Sequence, residues 1–109
     1  MLAQTAISTA PITQISDAAS AYRQCVRDHA FTTAASESVE TAIAAALKSC
    51  SEAAADYEDA ITAEQSFYSA SDGSEQTRMR RGMVATMNRN LTSELTVDLR
   101  SQQAARQSR

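Results

Sequence analysis

The residues in this sequence that could do chemistry are two cysteines, Cys25 and Cys50, a single histidine, His29, and four methionines. A cysteine pair can form a disulfide or hold a metal, and a thiolate beside an imidazole can act as a nucleophile. The chain has no Cys-x-x-Cys motif, and His29 has no evident orienting partner. We therefore expect a structural disulfide between Cys25 and Cys50, no catalytic residue and no enzymatic activity.

Three of the methionines, Met79, Met83 and Met87, recur every four residues and would lie on one side of a helix. Thioethers are soft ligands suited to Cu(I), so these methionines together with His29 form an alternative, copper-binding hypothesis. Methionine at helical spacing is more typical of flexible core packing or of an adaptable contact surface. The main expectation is therefore a protein without a resident metal or cofactor.

The composition predicts an all-α protein of one small domain. Its 109 residues include 22 alanines but only two glycines and one proline, which favours helix over any long window. Leucine, isoleucine, valine and phenylalanine together number only 16 residues, so the hydrophobic core must be small. A chain of this size excludes a nucleotide-binding domain joined to a separate substrate domain.

Hydrophobic periodicity divides this single domain into three expected helices with flexible ends. The expected segments are a flexible leader over 1–12, helices over 13–35, 38–70 and 74–103, and a frayed tail over 104–109. The first two helices would form an antiparallel hairpin. The third would be a long amphipathic helix that completes a three-helix bundle or extends as a coiled-coil-like arm. The pattern leaves open whether the long second helix kinks.

The disulfide prediction rests on the register of the hairpin. The midpoint between Cys25 and Cys50 falls at the expected turn over 36–38, which places the two residues at the same height on opposed helices. A disulfide needs Cα atoms within about 7 Å, and small alanine neighbours permit that approach. The hairpin should therefore be stapled near its middle.

The location of the protein follows from the same cysteine pair. Disulfides persist in secreted and periplasmic proteins and are rare in the reducing cytosol. No stretch approaches 18 consecutive apolar residues, and Leu2, Ala3 and Gln4 resemble the residues around a processed export signal. We expect a periplasmic or secreted protein without a transmembrane segment, and a cytoplasmic one is the alternative.

Charge is distributed unevenly along the chain. Residues 1–77 carry 3 basic and 11 acidic side chains, whereas 78–109 carry 7 basic and 2 acidic ones. We expect the basic third helix to dock on the acidic hairpin. Binding of nucleic acid or an anionic surface by this arginine-rich helix is an alternative, disfavoured because the segment has no aromatic side chain for stacking.

The expected function is therefore non-enzymatic, with the protein binding another protein or a second copy of itself through helix faces. Helices this long with so few large apolar residues need more burial than one chain supplies. Aromatic, methionine and leucine side chains offer the most contact area. The expected contact residues are Tyr22, Tyr57, Phe67, Tyr68, Met83, Met87, Leu91 and Leu95.

Overall fold

The structure is a computed structural model that describes residues 11–68 and 73–108, with side chains over 15–65 and 73–108. Within these ranges the protein is all-helical, as the composition predicts. Its helices are α1 (Pro11–Thr33), α2 (Val39–Ser49), α3 (Ser51–Tyr68) and α4 (Gly73–Gln107). Most of the leader expected over 1–12 lies outside the described residues, and so do 71–72 in the connection between the helices expected over 38–70 and 74–103.

Helices α1 and α2 form an antiparallel hairpin whose turn is fixed by local hydrogen bonds. Ser38 is the N-cap of α2, and its side-chain oxygen accepts a hydrogen bond from the backbone N–H of Thr41 at 3.1 Å. This bond satisfies one of the free N–H groups in the first turn of the helix. The cap sets where the chain reverses, and therefore sets which residues of α1 and α2 face each other.

The helix expected over 38–70 is divided at Cys50, so the described chain has four helices rather than three. Cys50 has φ −99° and ψ 26°, outside the α-helical region, while its N–H still bonds to the carbonyl of Ala46. Serines stand on both sides of it, and serine competes for backbone hydrogen bonds and weakens a helix interior. The chain therefore changes direction at the residue that carries the disulfide.

Helix α4 lies along the whole hairpin and parallel to α1. Arg23 pairs with Glu94 and Arg27 with Asp98, so both sequence numbers rise together along the two helices. Gln65 bonds to Gln76 at the opposite end, as an antiparallel α3–α4 pair requires. Helix α4 continues to Gln107, beyond the expected end at 103.

The core contains side chains from all four helices and is built from small and medium-sized residues. In the described residues no polar or charged side chain is buried. The buried residues are Tyr22, Val26, Ala30, Ala34, Val39, Ala42, Ile43, Ala46, Cys50, Tyr57, Ile61, Leu91, Leu95 and Leu99. The three leucines provide the apolar stripe by which α4 packs on the hairpin.

In the ion pairs between α4 and α1, the basic side chains belong to α1 and the acidic ones to α4, which is the reverse of the expected arrangement. Arg23 and Arg27 belong to α1, and their partners Glu94 and Asp98 are acidic residues in the second half of α4. Only the Arg100–Glu40 pair, at 3.2 Å, joins a basic α4 residue to the hairpin within the described chain. The net charges of the two halves therefore do not determine how α4 docks.

Candidate functional site

The disulfide between Cys25 and Cys50 is present and joins α1 to the junction of α2 and α3. The Cα atoms of the two residues are 6.0 Å apart, a separation that the alanine-rich helices around them allow. Cys50 is buried and Cys25 is half-buried. The registry argument from the sequence is therefore confirmed.

His29 lies beside this disulfide, one helical turn after Cys25. A ring nitrogen of His29 and the sulfur atoms of both cysteines all lie within 4.8 Å of one another. The imidazole is exposed and also borders a shallow cavity of about 260 Å³ with Asp28 and Thr32. This trio is the one group of metal-ligating side chains found among the described histidine, cysteine and acidic residues.

A larger open groove of about 520 Å³ lies between α1, α3 and α4. Its lining includes Tyr57 from α3, Arg23 from α1 and a stretch of α4. The α4 residues that line it are Met79, Gly82, Met83, Thr86, Met87 and Asn90. We call this feature the methionine groove.

The methionine groove exposes apolar surface to solvent. The exposed fraction is 53% for Met79 and 39% for Met83, and these are two of the three exposed large hydrophobic residues in the described chain. The third is Val97, also on α4 but outside the groove, at 64%. Clustered exposed apolar residues are typical of an interaction surface, whereas a single one is ordinary.

The copper hypothesis grouped the three methionines with His29. The structure places Met79, Met83 and Met87 together in the methionine groove, while His29 borders the separate cavity beside the disulfide. The methionines are therefore brought together without the histidine.

The expected contact residues fall into three groups. Tyr22, Leu91 and Leu95 are buried in the chain's own core, because the large apolar residues of each helix are needed to pack α4 on the hairpin. They are thus unavailable to a partner. Tyr57, also buried, together with Met83 and Met87 lines the methionine groove. The side chains of Phe67 and Tyr68 lie outside those that the structure describes.

The floor of the groove is held by a pair of tyrosines. The rings of Tyr22 and Tyr57 are stacked, with centroids 6.2 Å apart and planes inclined by 17°. The hydroxyl of Tyr22 donates a hydrogen bond to the side-chain oxygen of Asn88 on α4. Burial raises the pKa of Tyr22, and the bond to Asn88 opposes part of that rise; burial also raises the pKa of Tyr57.

These raised pKa values predict a loss of stability in alkali. The folded protein favours the neutral phenols of Tyr22 and Tyr57, so it binds more protons than the unfolded chain once the pH passes the ordinary tyrosine pKa of about 10. The free energy of unfolding should therefore fall as the pH rises above about 10. Urea titrations at several alkaline pH values measure this loss.

The control for this prediction is the double variant Tyr22→Phe and Tyr57→Phe, compared with the wild type. The double variant should lose most of the alkaline dependence. Equal alkaline slopes in the two proteins would show that the loss has another origin.

One exposed cation, Arg89, lies at the edge of the groove. Arg89 donates a hydrogen bond to the hydroxyl of Thr86, a groove residue, at 3.3 Å. It forms no ion pair with any described residue, whereas Arg78 pairs with Glu75 at 3.2 Å. Within the described part of the chain the charge of Arg89 is therefore not compensated.

Sequence reasoning missed Arg23 and Asn90 as groove residues. The helical pattern of α4 reports which of its own residues share a face, but it does not report the distance between α4 and α1. Asn90 is three residues after Met87 and seven after Met83, so helical spacing could have placed it on the same face, whereas no local signal could have identified Arg23, which belongs to another helix.

Comparison with known proteins gives no relative: no family model, no curated protein and no solved structure matches this chain. Among the described residues no helix has the length and hydropathy needed to cross a membrane.

Proposed function

We propose that this is an exported, non-enzymatic protein that binds an acidic amphipathic helix of another protein in the methionine groove. The observation that carries the proposal is the exposure of Met79 and Met83 in a groove of about 520 Å³. A helix laid in an apolar groove is a common mode of peptide recognition. Methionine suits it, because its flexible thioether adapts to differently shaped side chains.

The charge around the groove supports an acidic partner. Arg89 has no carboxylate partner among the described residues, and it hydrogen-bonds to the groove residue Thr86. A carboxylate that flanks the apolar face of a bound helix would meet this cation. Such rim pairs contribute more to the association rate and to the choice of partner than to affinity.

A second copy of the chain fits the groove less well. The outer face of α3 is acidic, with Glu52, Asp56 and Asp59 exposed, so its charge would match. Over 51–65, where the side chains of α3 are described, the exposed apolar residues are however only alanines, Ala55 and Ala63, which bury little area. A partner helix with larger apolar side chains would fill the groove.

The chemistry of the lining supports a binding role over a catalytic one. The thioethers of the methionines and the buried ring of Tyr57 offer contact area rather than proton transfer. The disulfide supports the export part of the proposal, because such bridges persist in oxidising compartments.

The test uses two synthetic helical peptides with the same leucine stripe, one flanked by glutamates and the other by lysines. We expect the acidic peptide to bind the full-length oxidised protein, and the basic peptide to bind at least about tenfold more weakly. Met83→Glu should weaken binding of the acidic peptide by at least about tenfold, since it places a charge in the groove. The control Val97→Glu, on the same helix outside the groove, should bind normally.

Two results would count against the proposal. The first is equal binding of the acidic peptide to Met83→Glu and to Val97→Glu. The second is a dimer in sedimentation experiments that Met83→Glu dissociates, since the groove would then be occupied by a second copy.

A further inference from the structure

Cys25, His29 and Cys50 form a cluster of side chains that can ligate a metal ion, and the disulfide involves only two of them. Two of its members stand one turn apart on α1, and the third lies at the α2–α3 junction. All three donor atoms lie within 4.8 Å of one another. A structural disulfide needs no imidazole beside it, so the position of His29 is a separate observation.

We propose that, once the disulfide is reduced, Cys25, His29 and Cys50 bind a d¹⁰ metal ion of the Zn²⁺ class. Zn²⁺ takes thiolate and imidazole ligands at about 2.3 and 2.0–2.1 Å, in a tetrahedron whose ligand atoms are under about 4 Å apart. The imidazole nitrogen already lies within 4.8 Å of both sulfur atoms, and the two sulfur atoms, which are bonded to each other in the disulfide, separate once it is reduced. The fourth position is open to water.

The acidic neighbour is not the fourth ligand in this arrangement. The carboxylate of Asp28 accepts a hydrogen bond from the side chain of Gln24 at 2.7 Å, on the exposed side of α1. Asp28 and His29 border the same shallow cavity, which gives an ion a route to the imidazole from solvent. The site is therefore reachable although Cys50 is buried.

The reaction balances with a dithiol or a phosphine as the reductant. A dithiol gives two electrons and two protons to the disulfide and becomes a cyclic disulfide, whereas a phosphine takes the oxygen of one water and becomes the phosphine oxide; either leaves Cys25 and Cys50 as thiols. Binding of a divalent ion by the two thiols releases two protons, and His29 binds as the neutral imidazole. Exchange with a second disulfide, which accepts two electrons and becomes two thiols, re-forms the Cys25–Cys50 bridge and releases the ion.

The consequence is that disulfide and metal exclude each other and close the same loop of the chain. In the oxidised protein the disulfide cross-links α1 to the α2–α3 junction, and in the reduced protein the bound metal ion cross-links them. Metal binding should therefore restore thermal stability that reduction removes, because an ion bound only by the folded state stabilises that state.

The chain makes the experiment unambiguous, because it contains one histidine and two cysteines in all. Untagged full-length protein is reduced with a phosphine and titrated with Co²⁺, followed by displacement with Zn²⁺. We expect thiolate-to-cobalt charge-transfer absorption at one ion per chain, and a rise in the melting temperature of the reduced protein on adding Zn²⁺. The oxidised protein should show neither effect.

The control variants are His29→Ala and Asp28→Asn. His29→Ala folds with its disulfide intact and should bind Zn²⁺ at least about tenfold more weakly after reduction. Asp28→Asn should bind like the wild type. Equal affinity of the His29→Ala and wild-type proteins, or equal binding before and after reduction, would overturn the proposal. The peptide-binding test uses the oxidised protein, so the two proposals fail independently.

Discussion

Replacing Cys25 and Cys50 together with alanine is expected to lower the free energy of unfolding by about 3 kcal/mol. The bridge joins residues 25 positions apart in sequence and so removes loop entropy from the unfolded chain. The free energy of unfolding of a protein is only about 5–15 kcal/mol in total, so this loss would be a large share of the stability of a small domain. Urea denaturation of the wild type and the double variant measures the difference.

The matched control for the disulfide variant is Ser49→Ala, an exposed neighbour of Cys50. It should change the free energy of unfolding by no more than about 0.5 kcal/mol. If the double cysteine variant unfolds at the same urea concentration as Ser49→Ala, the disulfide does not stabilise the folded protein. A thiol count on natively isolated protein is the companion measurement, since two free thiols would remove the support for export.

Truncating Leu95 to alanine is expected to cost about 2–5 kcal/mol. Leu95 is fully buried at the centre of the leucine stripe of α4, between Leu91 and Leu99. The substitution loses the transfer free energy of the removed atoms and leaves a cavity that the rigid helices cannot fully close. Because this stripe is what packs α4 on the hairpin, the methionine groove depends on it too.

The control for this prediction lies two residues further along the same helix. Val97 is 64% exposed, so Val97→Ala should change the free energy of unfolding by no more than about 0.5 kcal/mol. Chemical denaturation followed by circular dichroism compares the two variants. Similar midpoints for Leu95→Ala and Val97→Ala would mean that α4 is not held by its leucines.

The two halves of α4 have different roles. Its second half carries Leu91, Leu95 and Leu99, which are buried against the hairpin. Its first half carries Met79 and Met83, which remain exposed in the groove. The helix is therefore fixed by one half and offers the other half for contact. Substitutions in the leucine stripe should act on stability, and those in the groove on binding.

The sequence determined the local features of this protein. Abundant alanine with little glycine and proline predicted helix throughout, because helix propensity is a property of each residue and adds over long windows. The turn near Ser38 and the positions of Cys25 and Cys50 predicted the hairpin and its bridge. This worked because the register of two adjacent helices depends only on where the turn between them lies.

Only the tertiary structure decided the features that depend on contacts between distant segments. The pairing of Arg23 with Glu94 and the meeting of Tyr57 with Met83 across the groove both arise when α4 packs on the other helices. Periodicity shows which residues of one helix share a face, but the choice of the opposing face comes from packing all four helices at once. For that reason the sequence could name the methionines, while only the fold could place Arg23 and Tyr57 beside them.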